Sequence, residues 1–270
     1  GFGIITASVA TGGQTPADDY TNNVEEYNGS AWTEVNNTSR AKFASSNASG
    51  TLTAGLLCGG YVEPASANVN TTEEYDGTNW SSGGNYPTAI SGGTMVGTQT
   101  ATIFINGAVP PSTTAVNTYN GTAWTSGTVT NSAKERGAGS GSTTSAIIAG
   151  GQSALTSTEV WNGSSWTEVS ELNTGRRQLQ GNGTSPVPQC HVFGGKSTTV
   201  VYGLTESWSG SAWTEVADMA TARFSNEGGG SSSTNAIRMV FFRFTTSNTC
   251  SRLFRRNRWT NVLQFNIRKF

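Results

Sequence analysis

The sequence predicts an all-β protein that folds as one six-bladed β-propeller over residues 1–270. Six tryptophans recur at separations of 48, 44, 42, 47 and 46 residues, which is the length of one propeller blade. A second aromatic residue stands five positions before each of them. Glycine accounts for 34 of the 270 residues and charged residues for only 12%. Both values indicate many turns between short strands, since average chains contain about 7% glycine and about 25% charged residues.

Each copy of the repeat contains a hairpin with one aromatic residue on each arm. The aromatic pairs are Tyr27 and Trp32, Tyr75 and Trp80, Tyr119 and Trp124, Trp161 and Trp166, Trp208 and Trp213, and Phe254 and Trp259. Most copies carry Asn-Gly or Asp-Gly between the two aromatics, as at Asn28-Gly29. These dipeptides favour a type I′ turn because both central residues take positive φ. We expect the aromatic side chains to pack between blades; the alternative is that they stack on sugars.

A short apolar segment ending in glycines precedes each hairpin. Residues 4–10 lead to Gly12-Gly13 in the first copy, and the fifth copy repeats the pattern before Gly194-Gly195. After each tryptophan comes a polar stretch and then a strand of small residues. Basic residues in these polar stretches include Arg40, Lys134, Arg176 and Arg223. Each copy thus provides four strands in about 45 residues, as a propeller blade requires.

The two ends of the chain are predicted to meet in one blade. The first copy begins at the strand before Gly12-Gly13 and lacks the strand that precedes it in later copies. Residues 263–270 continue past the last tryptophan and are long enough for one more strand. We therefore predict that this C-terminal strand completes the first blade and closes the ring, because closure removes edges that would pair with other chains.

The last copy of the repeat, residues 228–270, has an atypical composition. Residues 1–227 contain all 17 acidic residues and 8 of the 16 basic ones, a net charge of −9, whereas residues 228–270 carry a net charge of +8. Phe242-Arg243 stands in place of the glycine pair, and Arg256 in place of the turn glycine. Three interpretations are open: a basic face for an acidic partner, a diverged blade, or a reading-frame shift from about residue 237. Translating the gene in the other frames tests the third.

The repeat resembles the Kelch family of propeller repeats. The shared pattern is an apolar strand with Gly-Gly, a variable loop, Glu-x-aromatic with Asn/Asp-Gly, and then Trp; it is clearest at residues 56–80 and 191–216 and covers nearly the whole chain. The variant Asn-Gly-Ser-x-Trp-Thr-Glu-Val is similar to Kelch-like repeats in virion structural proteins of tailed, especially marine, bacteriophages. It occurs at residues 27–35, at 161–169 and, with Ser for Asn, at 208–216.

The resemblance implies a non-enzymatic virion structural protein, exposed on a tail, fibre or appendage, that displays propeller loops for host attachment or protein–protein contacts. The expected partners are other virion proteins and a host-surface glycan or receptor, with no nucleic acid and no membrane insertion. We expect the ligand at the variable loops, residues 14–23, 61–70 and 108–114, because repeat folds place insertions on one face. The alternative is a cellular Kelch-type adaptor or a carbohydrate-binding propeller, secreted or periplasmic.

No motif predicts catalysis, a cofactor or a metal. Kelch-fold enzymes related to galactose oxidase hold copper with two histidines and two tyrosines, whereas this chain has one histidine, His191. The boxes of six-bladed sialidases do not match either. Cys58, Cys190 and Cys250 are odd in number and far apart, which argues against a disulfide framework and a zinc site. We therefore expect neither an enzyme nor a cofactor.

Four carboxylates occupy one repeat position, two residues before the first aromatic. They are Glu25, Glu73, Glu159 and Glu206. Alternation along a strand places each on the same face as its aromatic neighbour. A ring of calcium ligands is one hypothesis. We favour the other, in which each carboxylate pairs with an arginine or a backbone N–H of a neighbouring blade.

Overall fold

Short segments of small and β-branched residues, separated by glycine turns, form a run of five four-stranded antiparallel sheets over residues 2–216, called blades 1 to 5. The computed structural model describes residues 1–13, 20–43, 48–62, 65–183 and 186–225, and further on the backbone of four strands within residues 227–266. The strands are β1 (Phe2–Ile4), β2 (Ala7–Thr11), β3 (Val24–Tyr27) and β4 (Trp32–Val35) in blade 1; β5 (Ala48–Thr51), β6 (Ala54–Cys58), β9 (Thr72–Tyr75) and β10 (Trp80–Ser82) in blade 2; β11 (Thr94–Thr98), β12 (Ala101–Ile105), β13 (Val116–Tyr119) and β14 (Trp124–Ser126) in blade 3; β15 (Ala138–Gly141), β16 (Ala146–Ala149), β17 (Thr158–Trp161) and β18 (Trp166–Val169) in blade 4; and β19 (Gln180–Gly181), β20 (His191–Phe193), β21 (Thr205–Trp208) and β22 (Trp213–Val216) in blade 5.

The first strands of successive blades lie side by side: β1 with β5, β5 with β11, β11 with β15, and β15 with β19. The blades therefore surround one axis, with the first strand of each innermost. A small hairpin, β7 (Tyr61–Val62) and β8 (Ala67–Asn68), extends the loop between β6 and β9, and a short 3-10 helix (Val187–Gln189) precedes β20. The prediction of an all-β propeller with four-stranded antiparallel blades is confirmed.

The prediction of a sixth antiparallel blade is wrong. β23 (Glu227–Ser232), β24 (Asn235–Val240), β25 (Leu253–Arg256) and β26 (Leu263–Asn266) form a sheet in the order β23-β24-β26-β25. β24 and β26 run parallel, whereas every strand pair of blades 1 to 5 is antiparallel. The physical reason lies in the lost turn chemistry, because β25 continues through Arg256, the position that holds the turn glycine in earlier copies. The structure thus has five blades of the predicted pattern, not six.

The predicted closure by the C-terminal strand is also wrong. β26 pairs with β24 and β25, and blade 1 draws all four strands from residues 2–35. The segment 4–10, predicted as one strand, turns at residues 5–6 and lies in the hairpin β1–β2. Gly3 allows this hairpin, since its φ is +115° and a Cβ there would lie 2.3 Å from the Ala7 carbonyl oxygen. At the other end of the sheet β23-β24-β26-β25, strand β23 lies beside both β19 and β1.

The hydrophobic core lies between adjacent blades. Ile103 of blade 3 belongs to one buried cluster with Ile148 and Trp161 of blade 4. Leu56 of blade 2 belongs to another, with Phe104 of blade 3. Because each cluster needs two blades, a single blade cannot bury its own apolar face, and neighbouring blades stabilise one another.

The hairpin turns differ from the predicted type I′ turns. Tyr27 pairs with Trp32, so four residues lie between the strands. Asn28 Oδ1 accepts hydrogen bonds from the backbone N–H groups of Ser30 at 3.0 Å and Ala31 at 2.9 Å. Only the glycine has positive φ, between 90° and 96° in all five blades. The Asn-Gly pair therefore serves as a side-chain-capped Asx turn between the strands. A two-residue turn centred on Asn28 and Gly29 is excluded, because it would place Tyr27 opposite Ser30 instead of Trp32.

Candidate functional site

A buried ion pair joins blade 2 to the segment that leaves blade 1. Glu73 lies on β9 with 3% of its surface exposed, and its Oε2 lies 2.5 Å from Nζ of Lys42. The backbone N–H of Ser39 donates to Glu73 Oε1 at 2.8 Å. Burial alone would raise the pKa of Glu73, but the charge and hydrogen bond of Lys42 and the Ser39 N–H outweigh it, so the pKa lies below its usual value.

The same arrangement recurs at two further blade junctions. Lys134 pairs with Glu159 of blade 4, and Arg176 Nη2 lies 2.5 Å from Glu206 Oε1 of blade 5; all four side chains are fully buried. Backbone N–H groups complete both sites, from Asn131 to Glu159 at 2.7 Å and from Asn173 to Glu206 at 2.8 Å. Pairing with a neighbouring blade is therefore confirmed at Glu73, Glu159 and Glu206, although two of the three cations are lysines.

At the junction between blades 2 and 3, uncharged residues occupy both positions of the ion pair. Ile90 stands at the position of the cation, and Asn117 at the position of the carboxylate. Asn117 Nδ2 donates instead to the Tyr86 hydroxyl at 2.6 Å, and both of these polar side chains are buried. The pair is thus exchanged as a unit, which is expected because one buried charge without the other is strongly destabilising.

Lys42 was not identified from the sequence as one of the paired cations; in that segment Arg40 was named instead. Arg40 is exposed. The available signal was a fixed spacing, since the junction residue stands ten positions after the tryptophan of each blade: Lys42, Ile90, Lys134, Arg176 and Arg223. These pairs hold blades together and engage three of the four carboxylates, Glu73, Glu159 and Glu206, with cations, so those three do not form the calcium ring. Among the described residues, no group of three or more His, Cys, Asp or Glu could hold a metal ion.

The aromatic pairs lie across the outer hairpin of each blade. Their ring centroids are 4.8 to 5.4 Å apart in blades 1 to 5. Three of the indole N–H groups donate to the preceding blade or its exit segment: Trp124 to Thr72 Oγ1 at 2.9 Å, Trp166 to the Thr128 carbonyl at 3.1 Å, and Trp213 to Thr158 Oγ1 at 3.0 Å. These contacts place the tryptophans between blades. Phe254 lies on β25 and Trp259 lies outside the described residues.

The histidine and two of the cysteines lie on or beside the second strands of their blades. Cys58 ends β6 and is buried, and burial raises the pKa of its thiol to about 12. Cys190 is buried immediately before His191, which is 6% exposed on β20. A thiol with a raised pKa stays protonated near neutral pH and is a poor nucleophile. Cys250 lies outside the described residues.

The residues just before the inner strands form a linked rim at one end of the axis. The backbone N–H of Arg136 donates to the Gly92 carbonyl at 2.7 Å, that of Gln178 to Arg136 at 2.8 Å, and that of Ser225 to Gln178 at 3.0 Å. All four residues are left-handed, with φ of 62° at Gly92 and 57°, 54° and 52° at the other three. We call these four residues the rim. A left-handed conformation at a residue other than glycine stores strain, and such strain clusters at ligand sites.

Three cations lie on or beside the rim. Arg177 and Lys196 exchange backbone hydrogen bonds at 3.0 and 2.9 Å, and Lys196 Nζ lies 4.0 Å from the centre of the Phe224 ring. Arg136 is the third, and its Nε lies 3.0 Å from Glu135 Oε1. Burial, followed by the charges of Arg177 and Arg136, lowers the pKa of Lys196. This part of the surface therefore concentrates positive charge beside an aromatic ring that is 40% exposed.

The predicted ligand loops lie at the same end of the propeller as the rim. They follow the second strands, whose ends stand opposite the beginnings of the inner strands because the two are antiparallel. Two of the loops are joined by Asn68 Nδ2, which donates to the Ala108 carbonyl at 2.9 Å. Tyr20 stacks on Phe43 at 5.3 Å in the same region. Residues 14–19 and 63–64 of these loops lie outside the described residues.

No model of a protein family matches the chain, and no curated protein matches it. In the part of the chain that the structure describes, no helix is long and apolar enough to cross a membrane.

Proposed function

We propose that the chain is a non-enzymatic virion structural protein of a tailed bacteriophage, exposed on a tail, fibre or appendage. The end of the propeller that carries the rim and the predicted ligand loops, which we call the loop face, would contact the host or other virion proteins. The observation that carries this proposal is the repeated Asn-Gly-Ser-x-Trp-Thr-Glu-Val hairpin and its resemblance to Kelch-like virion repeats. Its three occurrences lie at residues 27–35, 161–169 and 208–216.

The scaffold is suited to display. Ion pairs lie at three of the four junctions between blades 1 to 5, and indole hydrogen bonds lie at three, including the one without an ion pair. Each of these blades is thus tied to the one before it. The loops project from this framework at one end, and rigid scaffolds commonly carry binding residues in such loops. We further propose that the sheet containing β23 takes the place of a sixth blade of the Kelch-like ring, since β23 contacts the inner strands of blades 5 and 1.

Particle composition tests the proposal. Mass spectrometry of gradient-purified phage particles should detect peptides of this chain at a fixed ratio to the major tail proteins. Neighbouring genes should encode capsid, portal and tail proteins. If the chain is expressed during infection but is absent from purified particles, the virion role is wrong and the cellular or secreted alternative takes its place.

A second candidate, a carbohydrate-binding propeller, is favoured by one specific observation. Tyr20, Phe43 and Tyr61 form an aromatic cluster on the loop face, with a T-shaped contact of 6.4 Å between the two tyrosines. All three side chains are half-buried, so part of each of these amphipathic residues is available to a ligand such as a sugar. Tyr61→Ala should abolish glycan-array binding in that case and leave it unchanged under the leading proposal.

A further inference from the structure

We propose that the cations beside the rim bind an anionic glycan, through the carboxylate or sulfate groups of its sugars. The proposed site comprises Arg136, Arg177 and Lys196 with Phe224. The choice of a host-surface ligand rests on the proposed role in attachment, whereas the binding chemistry rests on the contacts described below.

The first observation is the positive charge of Arg177 and Lys196, which is held in a fixed place without a partner carboxylate among the described residues. Glu135 is already engaged, because it pairs with Arg136 and its Oε2 accepts a hydrogen bond from Ser112 at 3.2 Å. No carboxylate of the described residues forms an ion pair with Arg177 or Lys196. Both are only partly exposed, so an anion there meets two charges in a medium less polarisable than bulk water.

The second observation is that the cations are positioned by backbone bonds and by a side-chain contact. Arg177 and Lys196 are joined through their main chains, and the Arg177 guanidinium is oriented by Gln152 Oε1, which accepts from Nη1 at 3.0 Å. A guanidinium oriented in this way loses little conformational freedom when it binds a carboxylate or sulfate in a bidentate manner.

The third observation points to a sugar as the carrier of the anion. The ring of Phe224 is 40% exposed and lies against Lys196, and the exposed side chain of Val201 lies beside Lys196 as well. An apolar surface of this kind packs against the C–H face of a pyranose. Acidic polysaccharides present such a face together with an anionic group.

The test uses the purified full chain and soluble polymers in isothermal titration calorimetry. We expect binding to polygalacturonate or dextran sulfate, weakening with added salt, and none to neutral dextran. Arg177→Gln and Lys196→Gln should each weaken it at least tenfold, which is about 1.4 kcal/mol, because each removes a charge-assisted hydrogen bond. Lys196→Arg should retain it. Arg40→Gln is the matched control, since it removes one exposed charge from an equivalent segment, and should change the affinity less than twofold.

Several results would overturn the inference: no binding to either anionic polymer, equal binding to neutral dextran, equal binding to poly-glutamate, or the same loss with Arg40→Gln as with Arg177→Gln. Circular dichroism of each variant separates loss of binding from loss of folding, and Lys196→Arg provides a second check. If the chain binds polygalacturonate at the rim but is absent from phage particles, the virion role fails and this inference stands. If it is present in particles but binds neither polymer, the reverse holds.

Discussion

The buried pair between Lys134 and Glu159 predicts a strongly non-additive response to substitution. Both side chains are 0% exposed. Lys134→Met leaves the carboxylate without its cation, and Glu159→Gln leaves a buried ammonium without its anion. Each single change should lower the free energy of unfolding by about 3–5 kcal/mol, because an uncompensated charge remains in the interior. The double variant buries no charge.

The double variant should therefore lie within about 2 kcal/mol of the natural protein, since uncharged replacements of similar volume are often nearly neutral. The amide introduced by Glu159→Gln would still offer an oxygen to the Asn131 N–H, which donates to the carboxylate of Glu159 at 2.7 Å in the natural protein. The junction of Ile90 and Asn117 is an uncharged counterpart within the same chain.

Urea denaturation followed by tryptophan fluorescence measures these effects. A loss of about 3 kcal/mol should lower the midpoint by about 1 M or more, given slopes of about 1–3 kcal/mol per molar urea. Glu168→Gln, at an exposed position of the same blade, is the control and should change stability by less than about 0.5 kcal/mol. If the double variant is destabilised by the sum of the two single effects, about 6–10 kcal/mol, the reasoning is refuted.

Three further predictions concern the pH dependence of stability, a glycine at a blade junction and an indole hydrogen bond. Glu73 and Glu159 have pKa values below the usual one. Their ionised forms therefore contribute stability that is fully present above about pH 4.3, the pKa of an unfolded glutamate, and this stability is lost as the pH falls through the pKa values of the folded protein. Denaturation experiments between about pH 6 and pH 3 should show the loss, and the loss should be smaller in the charge-free Lys134→Met/Glu159→Gln variant. Gly150→Ala should cost more than Gly183→Ala, although both have similar φ (+69° and +64°), because only the first places a Cβ 2.7 Å from a carbonyl oxygen; equal melting temperatures would contradict this. Trp213→Phe should destabilise by about 1–2 kcal/mol more than Trp80→Phe, since the Trp213 indole N–H donates to Thr158 whereas that of Trp80 meets no acceptor among the described residues; chemical denaturation compares the two.

The strand repeat and its aromatic pairs were predictable because they depend on local spacing. The short spacing between Tyr27 and Trp32 places both on one hairpin, whatever the rest of the chain does. The same applies to the glutamates, whose position two residues before an aromatic determines their strand face. The turn type was missed because Asn-Gly alone does not specify loop length, which the pairing of the two aromatics determines.

The sequence shows that the rim residues are equivalent but not that they are joined. Gly92, Arg136, Gln178 and Ser225 each stand twelve positions after a tryptophan, but they share no single residue type, and only the structure shows the backbone hydrogen bonds between them. Arg177 and Lys196 are 19 positions apart and lie on different sides of β19 and β20. They lie close together because the segment that follows the last strand of blade 4 pairs with the loop that follows β20 of blade 5.

By itself, the sequence determined that this chain forms repeated four-stranded antiparallel units with aromatic hairpins, because turns, alternation and spacing act within a few residues. Only the tertiary structure decided how many units follow that pattern, which cation meets each glutamate, and where the last strands pair. Residues 2–4 completed blade 1, and β26 joined β24 in parallel. Those outcomes depend on competition between distant strands for the same edge, and local patterns carry no information about that competition.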